Sequence, residues 1–276
     1  MRPKISDLLR NTRRAPEIFR CARETSQWPK ITATYLGFSK LPYPTYLRLR
    51  RGDHIRLQEL TDLKAFWQIY LRRVYRVEAS DQVILDIGAN VGLFSLYAAR
   101  QAPAARIIAV EPFPQTFQRL LEIVADHLLT DRIICLDCAI SGAGGPRLMA
   151  NGPSPSQQRA LAAAGRNAPG IQVHSKTLRE LLQEQALNRV DLLKMDIEGS
   201  EYEVLLSTSL DVLRMIRRIA IEYHGDCKPY TKLQLFDHLR QAGFEVTRDV
   251  QDRLGYGVAE AVISMPQEQK ATPYAA

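Results

Sequence analysis

Acidic residues recur at the ends of short apolar runs along this chain. Asp86, Glu111, Asp137, Asp196 and Glu222 each stand at or next to the close of such a run. In an open α/β sheet, ligands sit beyond the carboxyl ends of the strands, so five acids at five successive ends describe a rim around one site. Such a rim suits a cationic ligand, and a carboxylate in it can take a proton from a hydroxyl. Asp196 opens the run D-I-E-G-S-E, and Glu222 is followed by Tyr223 and His224. Asp196, Glu198 and His224 are therefore the candidate general bases. Three other readings of these residues stay open. Glu198 and Glu201 could simply favour the N-terminus of a following helix, His224 could be a structural hydrogen-bonder, and the set with Glu222 could hold a divalent cation. Nothing in the spacing requires a metal, and none is expected.

The ligand's character follows from residues 83–96, V-I-L-D-I-G-A-N-V-G-L-F-S-L. An apolar run turns through Gly88, Asn90 and Gly92 into a helical pattern, which brings backbone close to a ligand and aims a helix N-terminus at it. A dinucleotide fingerprint would carry glycine where Asn90 stands. Asp86 at the mouth would repel a pyrophosphate but accept from an ammonium group. Asp86, Gly88, Asn90 and Gly92 thus favour S-adenosylmethionine, a sulfonium methyl donor with an amino-acid head, over a nicotinamide cofactor. Glu111, 25 residues beyond Asp86, is placed for ribose hydroxyls and fits either nucleoside.

These residues need a sheet to hold them. From residue 83 onward strands and helices alternate, which predicts a doubly wound parallel sheet. Its strands fall near 83–87, 106–110, 132–137, 190–195 and 218–222, and residues 244–247 and 258–265 form a terminal antiparallel pair. Thr177 and Thr231 are helix caps. Residues 142–170, rich in Gly, Pro, Ser and Ala, read as a variable insertion with a short helix over 157–164. Ahead of the sheet, residues 46–57 read as a hairpin around Arg51-Gly52-Asp53-His54. A helix capped by Thr61 or Asp62 then runs to about Tyr75, with Leu63, Phe66, Trp67 and Tyr70 on one face. It leads into the first strand and walls one side of the cofactor cleft. The domain plan is a basic helical arm over 1–44, a catalytic domain over 45–265 and a disordered tail over 266–276.

The 276 residues carry a net charge of +7, unevenly placed. Residues 1–76 hold 17 Lys/Arg against 6 Asp/Glu, a balance of +11, and the remainder is acidic. Contact of residues 1–76 with an anionic surface is the expectation that charge raises, with a solvated helix face as its plain alternative. No apolar stretch reaches the ~18 residues of a membrane span and no signal-peptide core is visible, so the cytoplasm is the default location. Four cysteines give no disulfide framework in a chain this long. Cys135 and Cys138 lie in a strand-like run and face opposite ways, which favours packing over a shared metal.

The combination D-I-G-A-N-V-G-L-F-S (Asp86 to Ser95), V-E-P-F-P (Val110 to Pro114), K-M-D-I-E-G-S-E (Lys194 to Glu201) and I-E-Y-H (Ile221 to His224) resembles the FkbM family of S-adenosylmethionine-dependent methyltransferases. The resemblance covers residues 45–265. It implies a Rossmann-like class I α/β fold with a seven-stranded sheet, and O-methylation of sugar or secondary-metabolite hydroxyls. Carried over, Asp86, Gly88, Asn90 and Gly92 would cradle the amino-acid part of the donor, and Glu111 its ribose. The Asp137–Ala139 edge would border the adenine. Asp196, Glu198, Glu201 and His224 match motif positions without individual roles. The expected acceptor is a small molecule or glycan. An RNA methyltransferase using the basic segment lacks an aromatic-interleaved basic stretch or a recognised RNA module. A donor-binding module without turnover is the other alternative.

Overall fold

The computed structural model describes residues 14–150, 161–162, 170–224, 229–251 and 256–264. Several sequence expectations fall wholly or partly outside these residues: the first part of the basic arm, most of the helix over 157–164 and the tail. The His224 side chain and Cys227 lie outside them as well.

Three parallel strands form the centre. β3 (Val83–Ile87) is flanked by β4 (Arg106–Val110) and by β10 (Leu192–Met195). Beyond them lie β5 (Ile133–Leu136) on one side and β11 (Arg218–His224) on the other. β13 (Tyr256–Ile263) joins β11 antiparallel, and β12 (Phe244–Gln251) pairs antiparallel with β13. The seven-stranded order is thus β12-β13-β11-β10-β3-β4-β5. These strands read as near-continuous apolar runs because both faces are covered. Ile84, Ile107 and Leu192 pack into one buried cluster, while Leu85, Ile108 and Leu193 pack into another.

Helices cross between strands as the pattern requires. α4 (Leu93–Gln101) follows β3, and α5 (Pro114–Asp126) follows β4. α6 (Leu178–Glu184) and α9 (Lys232–Gln241) start on Thr177 and Thr231, each in a capping box with the residue three positions on. α7 (Glu201–Ser207) and α8 (Leu210–Leu213) link β10 to β11.

The described part of the N-terminal segment is helical, as the sequence suggests, and is packed onto the sheet domain: α1 (Ala15–Glu24) and α2 (Trp28–Tyr35) bury Cys21 and Ile31 in the cluster that holds Ile84 and Ile107. The expected hairpin is β1 (Thr45–Arg48) with β2 (His54–Leu57). α3 (Leu60–Phe66) starts two or three residues earlier than a cap at Thr61 or Asp62 would place it, with Glu59 as its cap. Asp62 takes the third helical position, and its carboxylate accepts from the Gln58 and Glu59 N–H groups. α3 continues as a π-helix over Trp67–Arg72 that ends on Arg73 in the left-handed region, φ 55°.

A second sheet runs from the described part of the region read as an insertion into residues 171–174, which the sequence reads as a short strand. β7 (Gly145–Ala150) pairs antiparallel with β9 (Gly170–Lys176) and with β8 (Leu161–Ala162). β6 (Ala139–Ile140) joins β9. Leu161 and Ala162, assigned by sequence to a helix, are therefore strand residues paired with Met149 and Leu148.

Candidate active site

Register puts the acidic rim in a row. Ile87, Val110, Leu136, Met195 and Ile221 stand level across neighbouring strands. The residues that follow four of them are Glu111, Asp137, Asp196 and Glu222, and the one that follows Ile87 is Gly88. Asp86 lies one step lower, inside β3, directly opposite Lys194 of β10.

A cleft of about 250 Å³ opens over the β3, β10 and β11 ends. One wall is the loop from Gly88 to Val91, continued by Leu93 and Phe94. The facing wall is one side of α3 and the π-helix, with Thr61, Ala65, Gln68 and Ile69 at helical spacing. Tyr75, Lys194, Asp196, Glu198 and Glu222 complete it.

The loop owes its shape to three alternate residues in the left-handed region: Gly88 (φ 77°), Asn90 (φ 51°) and Gly92 (φ 85°). Sequence reasoning reserved the glycines for close approach of a ligand. Gly88 lines the cleft, and the space beside Gly88 and Gly92 is also taken up by protein. A Cβ on Gly88 would lie 1.9 Å from the Asp196 carbonyl oxygen, and one on Gly92 would lie 2.7 Å from Ile123 and Leu120 side-chain carbons. Asn90, the non-glycine of the three, lines the cleft.

Asp86 is fully buried, and its carboxylate accepts from the Ser95 hydroxyl at 2.6 Å and pairs with Lys194 Nζ at 3.0 Å. It fixes the loop from below and is not among the residues lining the cleft. Lys194 also donates to the Gly88 carbonyl at 2.7 Å and sits 5.8 Å from the Tyr75 ring and 5.9 Å from the Phe94 ring. Burial alone would lower its pKa, but Asp86, Asp196 and Glu222 outweigh burial and hold it above the ordinary lysine value.

Glu111 is nearly buried, and its two oxygens accept from the backbone N–H groups of Asn90 (2.9 Å) and Phe113 (3.0 Å). Burial pushes its pKa up to about 7 against the pull of those bonds. Asp137 is exposed, and Ala139 is buried at the start of β6. Neither lines the cleft.

Asp196 and Glu222 meet at a residue that sequence reasoning missed. The buried Tyr75 hydroxyl lies 3.3 Å from Asp196 Oδ2 and 3.2 Å from Glu222 Oε2. Its single proton can serve only one carboxylate at a time. Burial, then the two carboxylates, raises its pKa well above that of an ordinary tyrosine. Glu198 lines the cleft from a turn with two left-handed residues, Glu198 (φ 55°) and Gly199 (φ 107°). Glu201, fully buried at the start of α7, holds that turn by accepting from Ile197 N–H and Gly199 N–H, both at 2.9 Å. His224 closes β11 opposite Tyr256. Tyr75 and Lys194 left faint signals in the sequence: an aromatic at the end of the pre-strand helix and a lysine in an otherwise apolar strand.

The residues fit the expected donor. The cleft lining sets Asp62, Asp196, Glu198 and Glu222 against Lys64 and Lys194, an excess of negative charge that favours a cation and opposes a pyrophosphate. Among the described residues, no group of three or more His, Cys, Asp or Glu could hold a metal ion. Cys135 and Cys138 are free thiols, pushed up to about 11 by burial.

A family model described as the methyltransferase FkbM domain matches residues 86–246. Methyltransferase sdnD of Sordaria araneosa is 30% identical over 199 residues, 62% of this chain and 76% of that protein. The 31-O-demethyl-FK506 methyltransferase FkbM of Streptomyces tacrolimicus is 26% identical over 184 residues, covering 56% of this chain and 70% of its own. The hexuronic acid methyltransferase AglP of Haloferax volcanii is 28% identical over 172 residues, 60% of this chain and 66% of that one. With the strand order and the loop geometry above, these matches identify the chain as a member of the FkbM family of S-adenosylmethionine-dependent methyltransferases.

Proposed function

We propose that this methyltransferase methylates a hydroxyl group on a sugar, glycan or secondary metabolite, with Asp196 as the base that takes the hydroxyl proton. The observation that carries this reading is the pairing of Asp196 and Glu222 about the Tyr75 hydroxyl at the cleft wall. A carboxylate offers several acceptor positions, so one that accepts from Tyr75 can also accept from an incoming hydroxyl. Asp196 is the better placed, because its backbone N–H donates to Ile87 at 3.1 Å and its carbonyl lies under Gly88, which ties it to the donor loop.

The donor supplies an electrophilic methyl group on a sulfonium. Asn90 and the Gly88–Gly92 backbone would hold its amino-acid part, Glu111 its ribose, and the Asp137–Ala139 edge its adenine. Asp86 and Lys194 act beneath them by fixing the loop. The wall formed by α3 and the π-helix excludes water and orients the acceptor, and orientation supplies up to ~7–11 kcal/mol of barrier reduction. Proton removal by Asp196 adds about 10²–10⁴-fold. Glu201 keeps Asp196 and Glu198 in place through the turn between them. Relatives whose names specify a hexuronic acid and 31-O-demethyl-FK506 support a hydroxyl on a small molecule or glycan.

Incubation with methyl-labelled donor and fractionated glycan, lipid, RNA and small-molecule extracts tests the acceptor class. Label on an alkali-stable methyl ether in the glycan or small-molecule fraction is the expected result. Label in RNA alone would reject the acceptor class, and donor uptake with no labelled product would reject turnover.

A further inference from the structure

The basic N-terminal segment is not uniformly solvated. Some of its arginines are satisfied inside the protein: Arg72 pairs with Glu17 at 3.1 Å, and Arg50 donates to the Ala22 carbonyl at 2.9 Å. Four others converge on a concavity of about 570 Å³ away from the methyl-transfer cleft. α1 supplies Arg20 and Arg23, the β1–β2 turn supplies Arg51, and the end of the π-helix supplies Arg73. Glu24 is the one carboxylate in the wall, which leaves an excess of three positive charges. Among the described residues, Arg23, Arg51 and Arg73 form no ion pair and no side-chain hydrogen bond.

The concavity is built rather than accidental. Arg20 donates to the Leu71 carbonyl, and Glu17 accepts from both Trp67 Nε1 and Arg72 Nε, so α1 is locked to the π-helix. Arg50 N–H donates to the Glu24 carbonyl at 2.7 Å, which locks the hairpin turn to the same helix. Arg73 occupies a left-handed backbone position that glycine or asparagine would take at lower cost. Holding four guanidinium groups around a single carboxylate leaves their charge largely uncompensated, and an oxyanion relieves it. A carboxylate engages one guanidinium fork, whereas the several oxygens of a phosphate or diphosphate engage two or more. Phe19, 65% exposed at the rim, offers an apolar face to whatever carries the phosphate.

We propose that Arg20, Arg23, Arg51 and Arg73 form a binding pocket for a phosphate or diphosphate group, borne either by a soluble molecule or by a lipid headgroup. The site is independent of the methyl-transfer reading. Calorimetric titration of the full chain with pyrophosphate at low ionic strength tests it. The expected result is saturable one-to-one uptake that weakens at least tenfold in the Arg51→Ala/Arg73→Gly double variant. Arg73→Gly suits the left-handed backbone, so an unchanged melting temperature separates loss of ligand contact from loss of fold. The Arg56→Ala/Arg76→Ala pair removes equal charge elsewhere in the same segment and should leave uptake within twofold. A parallel sedimentation arm uses vesicles of phosphatidylcholine alone and of equimolar phosphatidylcholine and phosphatidic acid. Retention on the acidic vesicles that pyrophosphate reverses assigns the pocket to a lipid headgroup. Pyrophosphate uptake without retention assigns it to a soluble phosphate. Unsaturable heat, or equal losses in the two double variants, would overturn the proposal.

Discussion

Replacing Lys194 with methionine keeps the length and apolar stem of the side chain while removing its charge. In the folded protein that charge is almost wholly buried, 3.0 Å from Asp86 Oδ1 and donating to the Gly88 carbonyl at 2.7 Å. Removing one partner of a buried pair costs ~3–5 kcal/mol, because the other charge is left without compensation. Asp86 keeps the Ser95 hydroxyl, which places the loss near the lower end, about 3 kcal/mol. For a chain of this size about 2 °C follows each kcal/mol, so the melting temperature should fall by roughly 6 °C. Asp86→Asn, which strands the lysine instead, should cost a similar amount. The double variant Asp86→Asn/Lys194→Met removes both members of the buried pair, so it should be more stable than the sum of the two losses by about 2 kcal/mol. Urea unfolding at pH 7 of all four proteins measures this coupling. Additive losses, or a Lys194→Met cost below about 1 kcal/mol, would refute the idea that this pair holds the loop floor.

Three further outcomes follow from the same geometry. Gly88→Ala should abolish binding of the demethylated donor product by calorimetry and cost at least ~2 kcal/mol, since its Cβ would meet the Asp196 carbonyl at 1.9 Å with φ at 77°. Glu111 has its folded pKa raised to about 7 from 4.5, so its contribution to stability is full below pH 4.5 and is lost as pH rises through 7. Glu111→Gln should therefore gain on the order of 3 kcal/mol relative to the unmodified chain between acid pH and pH 8 in parallel urea titrations. A pH-independent difference would contradict the burial of that carboxylate. Glu201→Ala should leave two backbone donors without partners, at ~1–3 kcal/mol each. It should lower kcat far more than it weakens binding of the demethylated donor product.

Much of the frame could be read from residues because the governing signals are local. The apolar runs ending at Ile87, Val110 and Met195 mark buried parallel strands, and Thr177 and Thr231 sit three residues before Glu180 and Gln234, the pattern of a capping box. The acidic rim was visible for the same reason, since register follows from where each apolar run stops. Nonlocal choices were hidden. Asp86 is a plausible ligand acid in sequence, and only the pairing of β3 with β10 sets Lys194 beside it. Tyr75 belongs to no motif, yet the segment that leaves the π-helix carries it between Asp196 and Glu222. The glycines of the loop announced a tight turn but not that protein atoms occupy the space they leave. Of the second sheet only β9 was legible, as a short strand over residues 171–174; β7 begins Gly-Pro and β8 is two residues long, so their pairing rests on tertiary contacts rather than on periodicity.

Single-turnover methyl transfer by Asp196→Asn, measured beside calorimetric binding of the demethylated donor product, addresses the role of the cleft most directly. The substitution keeps shape and removes the negative charge that would receive the hydroxyl proton. The rate should fall by about 10²–10⁴-fold while product affinity stays within threefold. A rate equal to that of the unmodified chain would contradict Asp196 as the base, as would a fall in rate matched by an equal fall in affinity.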